Sequence, residues 1–169
     1  MPEPTASNPR ITPFLWFAHQ AEEAATFYVS VFPNARITGV TRYGDAGQDV
    51  TGGAPGSVMT VAFELAGQSF VALNGGPLFR FTEAISFQVS CADQAEVDHF
   101  WDRLSEDGDP AAQQCGWLKD RYGLSWQVVP TRLHELLADP EPERVARVTE
   151  AMLRMKRFDI AELERARAG

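Results

Sequence analysis

Two segments with the same pattern decide the fold: EAATFY at Glu23–Tyr28 and EVDHFW at Glu96–Trp101. Each begins with a glutamate and ends with two aromatic residues, a spacing typical of one face of an amphipathic helix. Their phenylalanines are 73 positions apart, and the same offset carries the apolar stretch Ile11–Phe17 onto Ala84–Ser90. Because one offset aligns both a strand and a helix, the sequence predicts a duplicated module.

Short apolar segments and turns surround each predicted helix. The first half continues with a β-branched strand at Ala35–Gly44, a Gly- and Asp-rich loop at Asp45–Gly56, and a hairpin that turns at Ala66–Gly67. The second half closes with a hairpin through Arg121–Gly123. We therefore predict an α+β fold of two βαβββ modules, whose mixed sheets curl around a cleft and are followed by a helical C-terminal tail.

The pattern also predicts domain boundaries. The Pro-rich N-terminus, residues 1–9, is expected to be disordered. Residues 10–82 form the first module and residues 83–130 the second. The remaining residues, 131–169, read as a helical extension that packs across the sheets or against a partner chain.

Composition and charge exclude several classes of function. The chain has 169 residues, 44% of them hydrophobic, and a formal net charge of -8. An acidic surface disfavours nucleic acids and anionic membranes as partners. The sequence contains neither an apolar run long enough to span a bilayer nor a secretory signal pattern. Two cysteines form no disulfide framework, so we expect a cytoplasmic protein.

The order of the motifs resembles a known superfamily. The segments that carry the likeness cover nearly the whole chain from Arg10: ITPFLWF, AEEAATFYVSVFPNARI, VAFELAGQSFVALNGGPLFRF, AISFQVSC, EVDHFWDRL, CGWLKDRYGLSWQVVP and RFDIAELERARAG. Together they resemble the vicinal oxygen chelate superfamily, which includes glyoxalase I, extradiol dioxygenases and bleomycin-resistance proteins. Within it they look like the PhnB-like proteins, also described as 3-demethylubiquinone 3-methyltransferase-like domains. The resemblance implies a homodimer with a cleft inside each pair of modules.

Metal-using members of that superfamily carry His and Glu ligands at four strand positions. Carried over one at a time, these positions fall near Pro13, near Ala72, near Ser86 and on Gln127. None of the four side chains offers the imidazole nitrogen or carboxylate oxygen that a tight divalent site needs. We therefore predict no metal and no cofactor.

The predicted ligand site lies in the cleft. Gln127 alternates with Trp126 and Val128, so it points away from the helix layer if they pack on it. Its amide either bonds Asn74 or Ser86 as a structural link or presents a donor and an acceptor to a ligand, and both alternatives stay open. The predicted ligand-binding residues are Leu15, Phe17, Asn74, Phe79, Ser86, Trp117 and Gln127.

Other reactive residues have simpler interpretations. His19, His99 and His134 fall on separate elements and are expected at the surface. Cys115 is expected to be a small buried thiol, and the Asp120–Gly123 segment to be a structural turn. Ser86 has no nearby histidine base in the sequence, so a nucleophilic role is not expected.

Two functions follow from these observations. The first is a metal-free small-molecule-binding domain with an apolar and aromatic cleft. The second is an enzyme that acts on a quinone-like or aromatic molecule, by methyl transfer as the family name implies or by a glyoxalase- or dioxygenase-type metal-dependent reaction. No G-x-G-x-x-G follows a strand to hold a methyl donor, so whether the protein is an enzyme stays open. Purely structural dimerisation is compatible with the first function.

Overall fold

The computed structural model describes residues 11–46 and 52–169 and has an α+β architecture. The chain divides into two compact units, residues 1–80 and 81–169. The predicted disorder of residues 1–9 and part of the predicted loop at 45–56 lie outside the described residues. The predicted module boundaries stay a prediction.

The first unit is a four-stranded mixed sheet with one helix. Its elements are β1 (Phe14–Phe17), α1 (Ala21–Val31), β2 (Arg36–Arg42), β3 (Val58–Leu65) and β4 (Gln68–Asn74). The strand order is β1-β4-β3-β2, with β1 parallel to β4 and the other pairs antiparallel. A βαβββ module therefore accounts for the first half of the chain.

Helix α1 packs on one face of this sheet, and stacked aromatic rings form the contact between them. Tyr28 is fully buried, and its ring stacks on Phe63 of β3 at a centroid distance of 6.1 Å. Phe63 stacks in turn on Phe70 of β4 at 5.4 Å. Because opposed residues of paired strands project to the same side, this stack identifies which residues of all four strands face the helix.

The second unit has the same order of elements but one strand fewer among the described residues. Its elements are β5 (Phe87–Cys91), α2 (Gln94–Ser105), a 3-10 turn (Pro110–Ala112), β6 (Trp117–Lys119) and β7 (Ser125–Pro130). The strand order is β5-β7-β6. The 3-10 turn stands where the first unit has β2, and Pro110 has no N–H to donate to a strand ladder. The second module is thus βαββ.

The two hairpin turns are built differently. In the first unit, Ala66 and Gly67 both have positive φ, 46° and 83°, as a tight two-residue hairpin turn requires. In the second unit the buried carboxylate of Asp120 accepts hydrogen bonds from the backbone N–H of Tyr122 at 2.9 Å and of Leu124 at 3.0 Å, and from Nε1 of Trp126 at 2.9 Å. The turn predicted to be structural is therefore held by a carboxylate with three donors.

Three helices complete the second unit: α3 (Thr131–Leu137), α4 (Pro142–Arg154) and α5 (Ile160–Ala168). Their apolar residues form one core cluster with Val129 of β7, and its main members are Leu133, Leu136, Val148, Ala151, Met155, Phe158 and Leu163. The predicted tail therefore packs within the second unit. Asp159 caps α5, since its side chain accepts from the backbone N–H of Glu162 at 2.8 Å.

The repeat needs two offsets rather than one. Offset 73 holds for the helices, because the buried residues Tyr28 and Val31 of α1 match the buried Trp101 and Leu104 of α2. The strands match at 74, because the helix-facing Leu15 of β1 corresponds to the helix-facing Val89 of β5 and not to residue 88. The single offset is corrected accordingly: the connection between strand and helix is one residue shorter in the second unit.

Candidate functional site

In the first sheet, two of the predicted ligand-binding residues lie in the core. Leu15 is 5% exposed and Phe17 is 3% exposed. They pair in register with Ala72 and Asn74 of β4, on the face that α1 covers. Their side chains contribute to the hydrophobic core beneath α1, so they are not exposed at the opposite face of the sheet.

Asn74 caps helix α1 from the end of β4. Its Oδ1 accepts from the backbone N–H of Ala21 at 2.8 Å, and its Nδ2 donates to the carbonyl of Val58 at 3.0 Å. Gln20, the residue before the helix, provides no side-chain cap of its own. Both ends of the Asn74 amide are therefore used to join α1, β3 and β4.

Phe79 is exposed beside Trp16, on the side of the first unit away from α1. The two rings meet edge to face at 4.9 Å, and Nε1 of Trp16 donates to the carbonyl of Gly76 at 2.9 Å. A Cβ at Gly75 would lie 2.3 Å from the Trp16 ring, so only glycine allows this close approach. The Asn-Gly-Gly-Pro turn therefore packs against the Trp16 indole and accepts its hydrogen bond.

The second sheet carries the other predicted residues on the face opposite α2, which we call its open face. Val89, Trp126 and Val128 are buried on the α2 side, as the alternation predicts. On the open face Gln127 stands in register with Gln88 and with Trp117. The next row along the strands pairs Ser125 with Lys119. The open face therefore carries amide, indole and ammonium groups in two adjacent rows, and the hydroxyl of Ser125 lies buried beside them.

Gln127 and Ser86 are joined directly. Nε2 of Gln127 donates to Oγ of Ser86 at 2.9 Å, and both residues are half-buried, as is Trp117. Among the described residues, no partner is found for Oε1 of Gln127 or for Oγ of Ser125, which is buried in the neighbouring row. The open face thus has hydrogen-bonding capacity that the described part of the chain does not use.

Lys119 and Glu83, which sequence reasoning missed, form an ion pair at the edge of this face. The Lys119 side chain is 22% exposed and the Glu83 side chain 62% exposed. The hydrogen bond from Lys119 is the main cause that lowers the pKa of Glu83 below its ordinary value. Side chains two residues apart on a strand lie on the same face, so the alternation that places Trp117 on the open face also places Lys119 there. This spacing is the sequence pattern that could have identified Lys119.

A cavity of about 400 Å³ lies in the first unit, beside the N-terminus of α1. Its floor includes Tyr43, whose hydroxyl donates to the backbone carbonyl of Asn74. Ser57 also lines it and donates to the carbonyl of Ala54 at 2.6 Å. His19 and Glu22 are exposed at its rim. The polar side chains of the floor are already bonded within the unit, which leaves this cavity less suited to a ligand than the open face.

The four positions carried over from metal-using relatives do not fit a divalent ion. Ala72 is fully buried on the α1 side, whereas Gln127 lies on the open face of the other sheet. Pro13 and Ser86 offer no imidazole or carboxylate. Within residues 11–46 and 52–169, no three His, Cys, Asp or Glu side chains form a group that could hold a metal. We derive no step through a metal.

The strand-to-helix turns of the two units also lack the features of a site for a methyl donor. The strand-to-helix connection of the first unit is Ala18–Gln20, and that of the second is Ala92–Asp93. Neither contains the glycines that let a backbone approach a cofactor closely. In the described residues, the turns at the positions where such a site would form do not fit the donor.

The histidines and cysteines lie apart from the open face. His19, His99 and His134 are all exposed, and His99 contacts the ring of Phe100 at 5.1 Å. Cys115 is half-buried, and its Sγ donates to the carbonyl of Met152 at 3.4 Å. Cys91 is fully buried, and burial raises the pKa of its thiol to about 12. No helix in the described ranges has the length and apolar character needed to cross a membrane.

Comparison with known proteins gives a family match. Residues 9–129 match the model of the 3-demethylubiquinone-9 3-methyltransferase family. The PhnB protein of Bacillus cereus, a proposed 3-demethylubiquinone-9 3-methyltransferase, is 35% identical; the match covers 73% of this chain and 100% of that one, with a TM-score of 0.62. A search of curated proteins finds no significant match.

A more distant match concerns the fold alone. The fosfomycin resistance protein FosX from Mesorhizobium loti is 17% identical; the match covers 78% of this chain and 98% of that one, with a TM-score of 0.52. This likeness shows that the two proteins share an α+β fold. Both the predicted fold class and the predicted resemblance are confirmed. The family match ends at Val129, before the three C-terminal helices.

Proposed function

The chain belongs to the 3-demethylubiquinone-9 3-methyltransferase family of PhnB-like domains, and from that premise we propose that it binds a small aromatic molecule without a metal. The proposed contact surface is the open face of the second sheet. The observation that carries the proposal is the Gln127–Ser86 hydrogen bond at 2.9 Å, half-buried and in register with the indole of Trp117.

The chemistry of these three side chains suits a planar ligand with a polar substituent. The Trp117 ring offers a flat apolar surface for stacking. The amide of Gln127 offers an acceptor, Oε1, in addition to its donor. The Ser86 hydroxyl adds a hydrogen-bond donor. A ligand hydroxyl or carbonyl placed at Gln127 would therefore find a fixed partner, because the bond to Ser86 holds the amide in one orientation.

A ligand screen tests this proposal. We expect at least one phenol, quinone or aromatic antibiotic to raise the melting temperature and to quench tryptophan fluorescence, with or without a chelator. Gln127→Leu and Trp117→Leu should each lower the affinity about tenfold or more, from the loss of one hydrogen bond or one stacking surface. Gln68→Leu is the matched control, since Gln68 is an exposed strand amide of the first unit. Binding that survives both changes in the second unit would contradict the proposal.

Methyl transfer is the second candidate, and the name of the family favours it. Incubating the protein with S-adenosylmethionine and a demethylubiquinone analogue tests it directly. Product formation above a boiled control would establish the transfer and replace simple binding as the function. A glyoxalase- or dioxygenase-type reaction is tested by the same assay format, with added divalent metal and a matching substrate.

We also propose a homodimer in the cytoplasm. The family resemblance supports the dimer, and two free thiols, Cys91 and Cys115, support a reducing compartment. Light scattering of the full chain at several concentrations tests the dimer, and a monomer mass throughout would exclude it. Deletion of the C-terminal helices is not a suitable test, because it would expose the core cluster that they form with Val129.

A further inference from the structure

A cation, Lys119, lies at the edge of the open face of the second sheet, and its partner is the exposed carboxylate of Glu83. Lys119 follows Trp117 by two residues on β6, so both side chains project to the same side, about 7 Å apart at their bases. Its ammonium group contacts Glu83, which lies before β5 and outside any helix or strand. The pair borders the Gln127–Ser86–Trp117 surface proposed above as the binding site.

We propose that the ligand of this face carries an acidic oxygen group, a carboxylate, phenolate or phosphonate, and that Lys119 is its counter-ion. This inference rests on the proposed function and names the class of ligand that the same site selects. Glu83 occupies the ammonium group until the acidic group of the ligand replaces it.

The exposure of the two partners makes this exchange easy. Only 22% of the Lys119 side chain is exposed, whereas 62% of the Glu83 side chain is. Exposed ion pairs contribute little to stability, because solvent screens them and the long side chains lose conformational freedom. A ligand anion would therefore replace one carboxylate with another and would leave no buried cation unpaired.

Two other cations of the second unit, Arg121 and Arg157, are paired elsewhere. Arg121 pairs with Glu106 at 2.8 Å and with Asp107 at 3.3 Å, beyond the end of α2. Arg157 pairs with two aspartates on the outer side of α2. Lys119 differs because it lies on the strand row next to Gln127. The chain has a net charge of -8, so a cation at this position favours anionic over neutral ligands at this face.

The spacing of the groups defines the ligand further. A planar ring stacked on Trp117 would direct one polar substituent to Gln127 in the same row. An acidic group on the ring would reach Lys119 in the next row. The predicted ligand is thus an aromatic acid with a second polar substituent, such as a hydroxybenzoate.

A matched pair of probes tests the inference: 4-hydroxybenzoate, and 4-hydroxybenzamide as its neutral counterpart. Binding is measured by ligand-observed NMR and by tryptophan fluorescence. We expect the full chain to bind the carboxylate about five- to tenfold more tightly than the amide. Lys119→Met should abolish this preference and leave the affinity for the amide within about twofold, whereas Lys119→Arg should retain the preference.

Glu83→Gln provides a second test that keeps Lys119 in place, in case Lys119→Met does not fold. Removing the competing carboxylate should raise the affinity for 4-hydroxybenzoate about two- to fivefold and leave that for the amide unchanged. Equal affinity of the wild type for the two probes, or equal loss of both in Lys119→Met, would overturn this inference while the proposed function stands. Failure of both probes to bind the wild type would overturn the proposed function as well.

Discussion

In each unit, the strand that runs parallel to the first strand carries an amide that can be compared, Asn74 of β4 and Gln127 of β7, and the two are used in opposite ways. Asn74 lies on the helix-covered face, where both ends of its amide bond the backbone. Gln127 lies on the open face, where only its link to Ser86 is made within the described residues. The two amides do not occupy equivalent positions, since Asn74 stands opposite Phe17 in the first unit and Pro130 stands opposite Cys91 in the second. A duplicated module can therefore use a strand amide for structure in one half and leave a differently placed strand amide available in the other.

The same division appears in the way each unit begins its helix. Helix α1 depends on Asn74, 53 positions away along the chain. Helix α2 is capped locally, since Asp93 accepts from the N–H of Glu96 at 3.0 Å and Glu96 accepts from that of Ala92 at 2.7 Å. The second unit does not need a strand amide for its helix, so its strand amide is available for other contacts.

The largest expected effect comes from removing the buried carboxylate that holds the hairpin turn of the second unit. Asp120→Ala should lower the free energy of unfolding by about 3 kcal/mol or more, because it removes the acceptor of three largely buried donors. Asp109→Ala is the control, since within the described ranges that exposed side chain accepts a single hydrogen bond, from the N–H of Ala111. Denaturant unfolding measures both, and equal effects would show that burial of the Asp120 acceptor is unimportant.

The next effect compares the two helix caps. Asn74→Ala should cost about 2 kcal/mol, because it removes the cap of α1 and also leaves the Val58 carbonyl without its donor. Asp93→Ala should cost about 1 kcal/mol, the usual value for a single cap. Asn74→Asp keeps the acceptor for Ala21 and should fall between them. A larger loss for Asp93→Ala than for Asn74→Ala would reverse the comparison.

The third effect is confined to the second unit, where Cys91 occupies the position of Phe17 in the first. Burial, and secondarily the Glu96 and Asp93 carboxylates, raises the pKa of the Cys91 thiol from 9.0 to about 12. The unfolded chain releases this proton at lower pH than the folded chain, so stability falls as the pH rises from about 9 to about 12. The loss at pH 10 is about 1 kcal/mol.

Unfolding profiles of the wild type and of Cys91→Ala, measured between pH 7 and 11, isolate this contribution. The variant should be less stable at neutral pH, because it loses buried volume, and its profile should be flatter above pH 9. Parallel profiles would mean that the thiol does not titrate between the folded and unfolded states.

The smallest expected effect on stability is at the open face itself. Gln127→Leu should change the free energy of unfolding by less than about 1 kcal/mol, because it removes a single half-buried hydrogen bond and adds apolar contact. The same substitution in the binding assay should have a large effect. A loss of stability as large as that of Asn74→Ala would show that both amides are structural.

The helices and their caps could be predicted from the sequence because their signals are local. The segment Glu23–Tyr28, read as helical from its pattern, lies within α1, which spans Ala21–Val31. The sequence pairs Asp93 with Glu96 and Asp159 with Glu162 have the spacing of a capping box, and both are present as hydrogen-bonded caps. Such caps need only the residues within one helical turn, which the sequence displays directly.

The faces of the strands could not be predicted in the same way. A strand changes the side of every residue when the register moves by one, and the strand-to-helix connections of the two units differ by one residue. Leu15 and Phe17, which are predicted to line the cleft, belong to the core instead. The orientation of Asn74 follows from the register of β4 with β1 and from its bonds to Ala21 and Val58, which no local pattern shows.

The C-terminal helices imply an order of events during synthesis of the chain. The backbone N–H groups of Cys115 and Gly116 donate to the carbonyls of Met155 and Lys156, and the Phe158 ring lies where a Cβ of residue 116 would be. The closing hairpin of the second unit therefore lacks its partners until residues 155–158 have left the ribosome. The first unit has its own core within residues 1–80 and can fold while the second is still being made.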